Sequence, residues 1–202
     1  MIHAYNDFYL PIIQNRLAEL FELALNYEKI DFDKFIDMFL NSYISRAFEI
    51  NNMKYTLGKS SSELLAIILD EDPKVYNVSP IASPEYWCGY VLAYIAWYFN
   101  ISYKYIFEKV SFKELSMNYF PYHEMDIMHM VDYYEKRLNI PSKLKLMREK
   151  MGLSQSQLAL NADVPLRTIK SYEQKTVDIS KAQIETIYKL ARELCCKMED
   201  LI

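Results

Sequence analysis

The sequence predicts an all-α protein: an N-terminal helical bundle followed by a smaller C-terminal helical domain. Three observations carry this. Apolar residues recur at i, i+3 and i+4 along most of the chain, and strand-type alternation is scarce. Four pairs, Ser60/Glu63, Ser111/Glu114, Ser154/Gln157 and Ser180/Gln183, have the form of capping boxes. In such a box the serine oxygen accepts from a free N–H of the first turn and the longer side chain reaches back to the serine N–H. Finally, there are only three glycines, Gly58, Gly89 and Gly152. That excludes a glycine-rich phosphate loop or dinucleotide fingerprint, which needs several at fixed spacing.

Taken in order, residues 6–28 form a first amphipathic helix with Tyr9, Ile13, Leu17, Leu20, Phe21 and Ala24 on one stripe. Asp31 caps a second, carrying Phe32, Phe35, Ile36, Phe39, Leu40, Tyr43, Ile44 and Ala47. Residues 70–83 have turn chemistry and two prolines, so they read as a loop. Ser83 then suits an N-cap, Pro84 the first helical position, and Glu85 the positive end of the helix dipole. The helix that follows, to Phe99, is apolar nearly all round, which places it at the centre of its domain. Its Gly89 and Ala93 let a neighbouring helix approach. A last N-terminal helix runs from about Met125 to Leu138, and "NIPS", 139–142, marks a boundary between domains 1–139 and 140–202.

Charge divides at the same place. The chain carries −4 overall, yet residues 141–202 hold 11 Lys+Arg against 8 Asp+Glu, or +3, which leaves −7 for the rest. Such asymmetry points to two jobs. The three cysteines, Cys88, Cys195 and Cys196, make neither a disulfide framework nor a zinc pair. A reducing, cytoplasmic setting is expected. No signal peptide is read at the N-terminus, and the aromatic stretch 83–99 is too short to span a bilayer, so no membrane role is expected.

Residues 143–202 read short helix, tight turn, short helix, turn, longer helix. Leu144, Met147 and Met151 face inward on the first, Gly152 ends it, Ser154 caps the second, and "NAD", 161–163, makes the turn into "VPLRTIKSYEQ". Leu158 and Ala159, then Val164, Ile169 and Tyr172, supply the buried faces. With its Leu-x-x-x-Arg start, "GLSQSQLA", "TIKSYEQ" and closing "KMEDLI", the segment resembles the Cro/repressor-type helix-turn-helix, or Xre, family. It departs at Asp163, where glycine is usual, although Asp tolerates the left-handed conformation. It departs again at Pro165, where Ser or Thr commonly caps the third helix.

The resemblance implies a five-helix DNA-binding domain. Its third helix would lie in the major groove of double-stranded DNA. Leu166, Arg167 and Ser171 are then the base-reading residues, with Arg167 foremost because a guanidinium pairs bidentately with guanine. Gln155, Pro165, Thr168 and Lys170 fall to the phosphate backbone, which fixes register without reading sequence. Arg148 and Glu173 match the family's internal ion pair and are structural. A charge of only +3 suggests a homodimer on a two-fold operator, with half-sites about 34 Å apart or a multiple of that.

Other constellations carry less. His123, Glu124, Asp126 and His129 are ligand types, but the spacing is not that of HExxH, and His123 and Glu124 look like helix-start residues. No metal, cofactor or catalytic residue is expected, hence no enzyme. Cys195 and Cys196 read as packing residues near a helix end. Sixteen of the 18 tyrosines lie in residues 1–140. Among them Tyr86, Tyr90, Tyr94 and Tyr98 follow one helix edge and form the candidate ligand or partner surface. "SPEYWCGYVLAYIAWYF", "KYTLGKSSSELL" and "YHEMDI" resemble a domain of small regulators from anaerobic bacteria, some encoded beside toxin genes. That resemblance implies an antitoxin-type alternative, in which residues 1–139 hold a toxin or other protein.

Overall fold

A computed structural model describes residues 3–77 and 83–202; part of the 70–83 stretch read as a loop lies outside them. The described residues contain helices and no strand. The chain divides into two compact units, His3–Asn139 and Ile140–Ile202.

In the first unit, a 3₁₀ turn, Asp7–Tyr9, leads into α1 (Leu10–Glu22). The chain then widens into a π-helical turn, Leu23–Tyr27, so the helix expected over 6–28 is three winding types end to end. The second expected helix is also divided. Asp31 does cap α2 (Phe32–Asn41) by accepting from the Lys34 N–H. Ser42 breaks it with an extended φ/ψ of −82°/157° and caps α3 (Tyr43–Glu49). Its hydroxyl donates to Phe39 O and accepts from Ile44 N–H, the local competition with the helix ladder that serine offers. The apolar periodicity runs through the break because both helices bury the same kind of face.

Then come α4 (Met53–Thr56) and α5 (Ser61–Leu69), the latter opened by a complete Ser60/Glu63 box. Next are α6 (Pro84–Phe99), α7 (Tyr103–Phe107), α8 (Phe112–Met117), α9 (Tyr119–Tyr122) and α10 (Met128–Leu138). Ser83 caps α6 by accepting from Tyr86 N–H. At α8 only half of the expected box forms: Ser111 accepts from Glu114 N–H, but the Glu114 carboxylate faces Arg137 at 2.6 and 3.0 Å and Tyr133 at 2.8 Å. A charged donor is a stronger partner than one more backbone N–H.

The core of this unit is the pairing of α1 with α6. A Cβ on Gly89 would lie 2.7 Å from Leu17 O and 2.8 Å from Ala18 Cα, so only glycine permits this backbone approach. Ala18 and Ala93 are fully buried beside it. Phe21 meets Phe35 edge-on at 5.3 Å, which ties α2 to the same core, and Trp97 satisfies its buried N–H on Tyr5 O at 2.8 Å. Helices α5, α6 and α10 end on Asp70, Asn100 and Asn139, each left-handed with φ between 51° and 56°. That is how a chain with three glycines ends its helices.

The second unit holds α11 (Lys143–Lys150), α12 (Gln155–Asn161), α13 (Leu166–Glu173), a 3₁₀ turn Ile179–Lys181, α14 (Ile184–Glu193) and a closing 3₁₀ turn Met198–Asp200. The fifth helix is thus a single 3₁₀ turn. The Ser154/Gln157 box is complete. The Ser180/Gln183 box is not formed: Ser180 sits inside the 3₁₀ turn, itself capped by Asp178, and Gln183 becomes the N-cap of α14 without a side-chain bond. Leu144, Leu158, Val164, Ile169, Tyr172 and Leu190 lie in one buried cluster. Met147 packs on it, whereas Met151, expected inward, is 45% exposed. It follows α11 as the cap residue, where the chain is already turning through Gly152 at φ +68°.

Candidate nucleic-acid interface

The turn between α12 and α13 is built from its small and apolar residues. Ala162 and Val164 point into the core, and Asp163 between them takes φ 52°. Val164 N–H donates to Ala159 O at 3.0 Å, closing the turn. The aspartate that stands in place of glycine also reaches Lys189 at 3.2 Å. Nothing in the spacing of the sequence pointed to Lys189. The pair is exposed and contributes little to stability.

Helix α13 begins at Pro165, which caps with no side-chain oxygen. Its fixed φ pre-forms the entrance, and its carbonyl accepts from Thr168 and Ile169 N–H. Ile169, Tyr172 and Glu173 are buried. On the opposite side Arg167 and Lys170 are exposed, Ser171 is half-buried, and Gln174 continues the same face. Pro165 is exposed at the start of the helix, with Leu166 and Thr168 half-buried beside it. Pro165 and the five α13 residues expected to touch DNA therefore all have access to solvent, Pro165 to Thr168 at the start of the helix and Lys170 and Ser171 about one turn further on.

The back of α13 is held by charge. Arg148 Nε and Nη2 donate to Glu173 Oε1 and Oε2 at 2.6 and 2.9 Å, and Arg148 Nη1 donates to Leu153 O at 2.7 Å. Gln155 Nε2 adds a third donor to the carboxylate at 2.8 Å. Both charges are buried. Burial opposes ionisation of Glu173, but the bonds from Arg148 and Gln155 outweigh it and hold the carboxyl below its usual range. The same bond raises the pKa of Arg148. Gln155, assigned from sequence to phosphate, is thus also a member of this network. Its Nε2 joins the start of α12 to the end of α13.

The N-terminal tyrosine edge is half-buried. Tyr86 donates to Asn15 Oδ1 at 3.0 Å, Tyr94 and Tyr98 stack at 5.9 Å, and the Tyr90 carbonyl lies 3.4 Å from Gln14 Nε2. The histidines do not converge. His123 ends α9 rather than starting a helix, with its Nδ1 2.9 Å from Tyr119 O and its ring stacked on Tyr119; His129 is exposed on α10. Among the described residues no group of three or more His, Cys, Asp or Glu is placed to hold a metal ion, and no helix is long and apolar enough to cross a membrane.

Residues 144–201 match the helix-turn-helix family model, so the C-terminal unit carries a Cro/repressor-type helix-turn-helix of the Xre kind. This is the domain of a DNA-binding transcription regulator. No curated protein and no solved structure matches the chain.

Proposed function

We propose that the chain represses transcription, its own promoter included, by reading the major groove with α13 as a homodimer. The observation that carries this is the two-sided construction of α13 inside the matched segment. One face is locked by Ile169, Tyr172 and the Arg148–Glu173–Gln155 network. The other offers Arg167, Lys170 and Ser171. Arg167 and Ser171 read base edges and Leu166 packs on a thymine methyl, while Gln155, Pro165, Thr168 and Lys170 line the phosphates. Residues 1–139 form the sensing or partner domain. Three cysteines without a disulfide fit work in the cytoplasm.

The test is binding of the full chain to its upstream DNA and to unrelated DNA. Arg167→Ala should lose about 1–3 kcal/mol of discrimination while the helical circular dichroism stays unchanged. Lys170→Ala should weaken both DNAs alike and reduce the salt slope by about one. Retained selectivity in Arg167→Ala would sink the assignment.

A second reading, an antitoxin-type protein that holds a partner through residues 1–139 and represses its own operon, is favoured by the exposed apolar side chains of that unit. Phe120 is 79% exposed and Met117 65%. Isolated large apolar side chains are ordinary at a surface, but methionines and aromatics in numbers mark docking sites.

A further inference from the structure

We infer that Gln155 is a positioning residue for base reading: bonded to Glu173, its side-chain amide fixes the setting of α13 against α12 and thereby the selectivity of the domain. The inference rests on the reading of α13 as the helix in the major groove, and it says what holds that helix in register.

The bond joins two chain ends. Gln155 is the first residue of α12 and Glu173 the last of α13. The other two ends meet at the turn, where Val164 N–H donates to Ala159 O. The helix pair is thus tied at the turn and tied again, through Gln155 Nε2 on Glu173 Oε2 at 2.8 Å, at the ends remote from it in sequence.

Neutralising the buried carboxylate does not require this bond. Arg148 does so from α11, with Nε and Nη2 on the two oxygens, while its Nη1 holds Leu153 O. What Gln155 adds is a bond from α12. Its backbone is steadied by the Ser154/Gln157 box around it, and the residue is half-buried. A side-chain amide nitrogen carries two protons, so one can hold Glu173 while the other meets a phosphate. The residue that touches the DNA backbone from α12 is then bonded to the helix that reads the bases.

The two kinds of DNA contact tolerate a shift of α13 differently. Base-edge hydrogen bonds weaken steeply with distance and angle, and it is base contacts that read sequence. Attraction to unrelated DNA is electrostatic and independent of sequence, and the exposed Arg167 and Lys170 supply it even from a shifted helix. Loosening the tie therefore costs selectivity more than affinity for DNA at large. Loss of a phosphate contact alone would weaken both DNAs alike.

The test titrates the full chain and its Gln155→Met and Gln155→Lys variants with two DNAs of equal length. One is selected by the parent chain from a random-sequence pool, and the other is unrelated. Methionine is similar in length to glutamine but has no donor, whereas lysine restores one. The readout is the ratio of the two affinities, because a smaller folded fraction lowers both together and leaves their ratio alone. Gln155→Met should lower the ratio at least about tenfold, while unrelated DNA is bound within about threefold of the parent affinity. Gln155→Lys should recover most of the lost ratio. In an Arg167→Ala background, Gln155→Met should change the ratio by less than about threefold, since the base reader it places is already gone. An unchanged ratio in Gln155→Met leaves Gln155 a phosphate contact and overturns the inference. So does a Gln155→Lys variant no more selective than Gln155→Met, or a full tenfold loss in the Arg167→Ala background. A parent chain that selects no sequence from the pool overturns the groove reading itself, and the inference with it.

Discussion

Helices α13 and α6 sit at opposite extremes of helix design. In α13 the buried residues Ile169, Tyr172 and Glu173 occupy one side, and Arg167 and Lys170 stand in solvent on the other. In α6, Cys88, Val91, Leu92, Ile95, Ala96 and Trp97 are buried on several sides at once. A two-faced helix can present side chains to a partner because only half of it is needed for the core. A helix buried nearly all round is committed to packing, and what it offers outward is a narrow edge, here the tyrosines. The two also differ in what fixes them. α13 is pinned by a buried ion pair, and α6 by a backbone approach that tolerates no side chain.

The largest effect should come from breaking the first of these. Arg148→Ala leaves the buried Glu173 carboxylate without its charged partner, which costs about 3–5 kcal/mol. The C-terminal unit should lose its cooperative unfolding transition in urea, and DNA binding with it. A pH titration gives the same network a sign. The folded pKa of Glu173 lies below its ordinary value of 4.5. Its contribution is therefore fully present above about pH 4.5 and is lost as pH falls below that, through the folded pKa. Glu173→Gln should flatten this acid limb of stability, and an unchanged limb would assign it to other carboxylates.

The second fixing point, Gly89, sets two effects against each other. Alanine is the better helix former by about 1 kcal/mol in an exposed helix. At Gly89 its Cβ would meet the α1 backbone at 2.7–2.8 Å, and backbone cannot rotate away as a side chain can. Overpacking of this kind costs about 1–3 kcal/mol, so Gly89→Ala should destabilise the N-terminal unit. A raised denaturation midpoint would show that α1 and α6 can separate without penalty.

These two sites also show which features the sequence exposes. The helix-turn-helix was legible because each of its parts has a local signature: the Ser154 box, the small residues at the turn and the spacing of Arg148 and Glu173. The centrality of α6 was legible from its all-round apolar pattern and from Gly89. The winding of the chain was less so. The break at Ser42 and the π turn at 23–27 interrupt no apolar stripe, so periodicity could not reveal them. The third donor on Glu173 is likewise tertiary: Gln155 lies eighteen residues away and joins the pair only once α12 and α13 have docked. Cys195 shows the limit from another side. It takes φ 50° just beyond α14, a conformation that Gly or Asn would have announced and cysteine does not. Cys196 then packs partly against the core.

The smallest effect concerns the capping boxes, where equal sequence signatures have unequal structures. At Ser154 both halves are present: the hydroxyl accepts from Gln157 N–H and Gln157 Oε1 accepts from Ser154 N–H at 2.8 Å. Ser154→Ala should cost about 1 kcal/mol, as for an N-cap that satisfies an orphan donor. At Ser180 the hydroxyl instead donates to Asp178 Oδ1 at 2.8 Å on the surface, and the Ser180 N–H keeps the same Asp178 acceptor without it. Ser180→Ala should therefore stay within about 0.5 kcal/mol of the parent. Paired urea titrations of the two variants measure the difference. Equal losses would mean that Gln183 and Ser180 cap α14 after all, and that the Ser-x-x-Gln pattern outweighs the 3₁₀ turn lying across it.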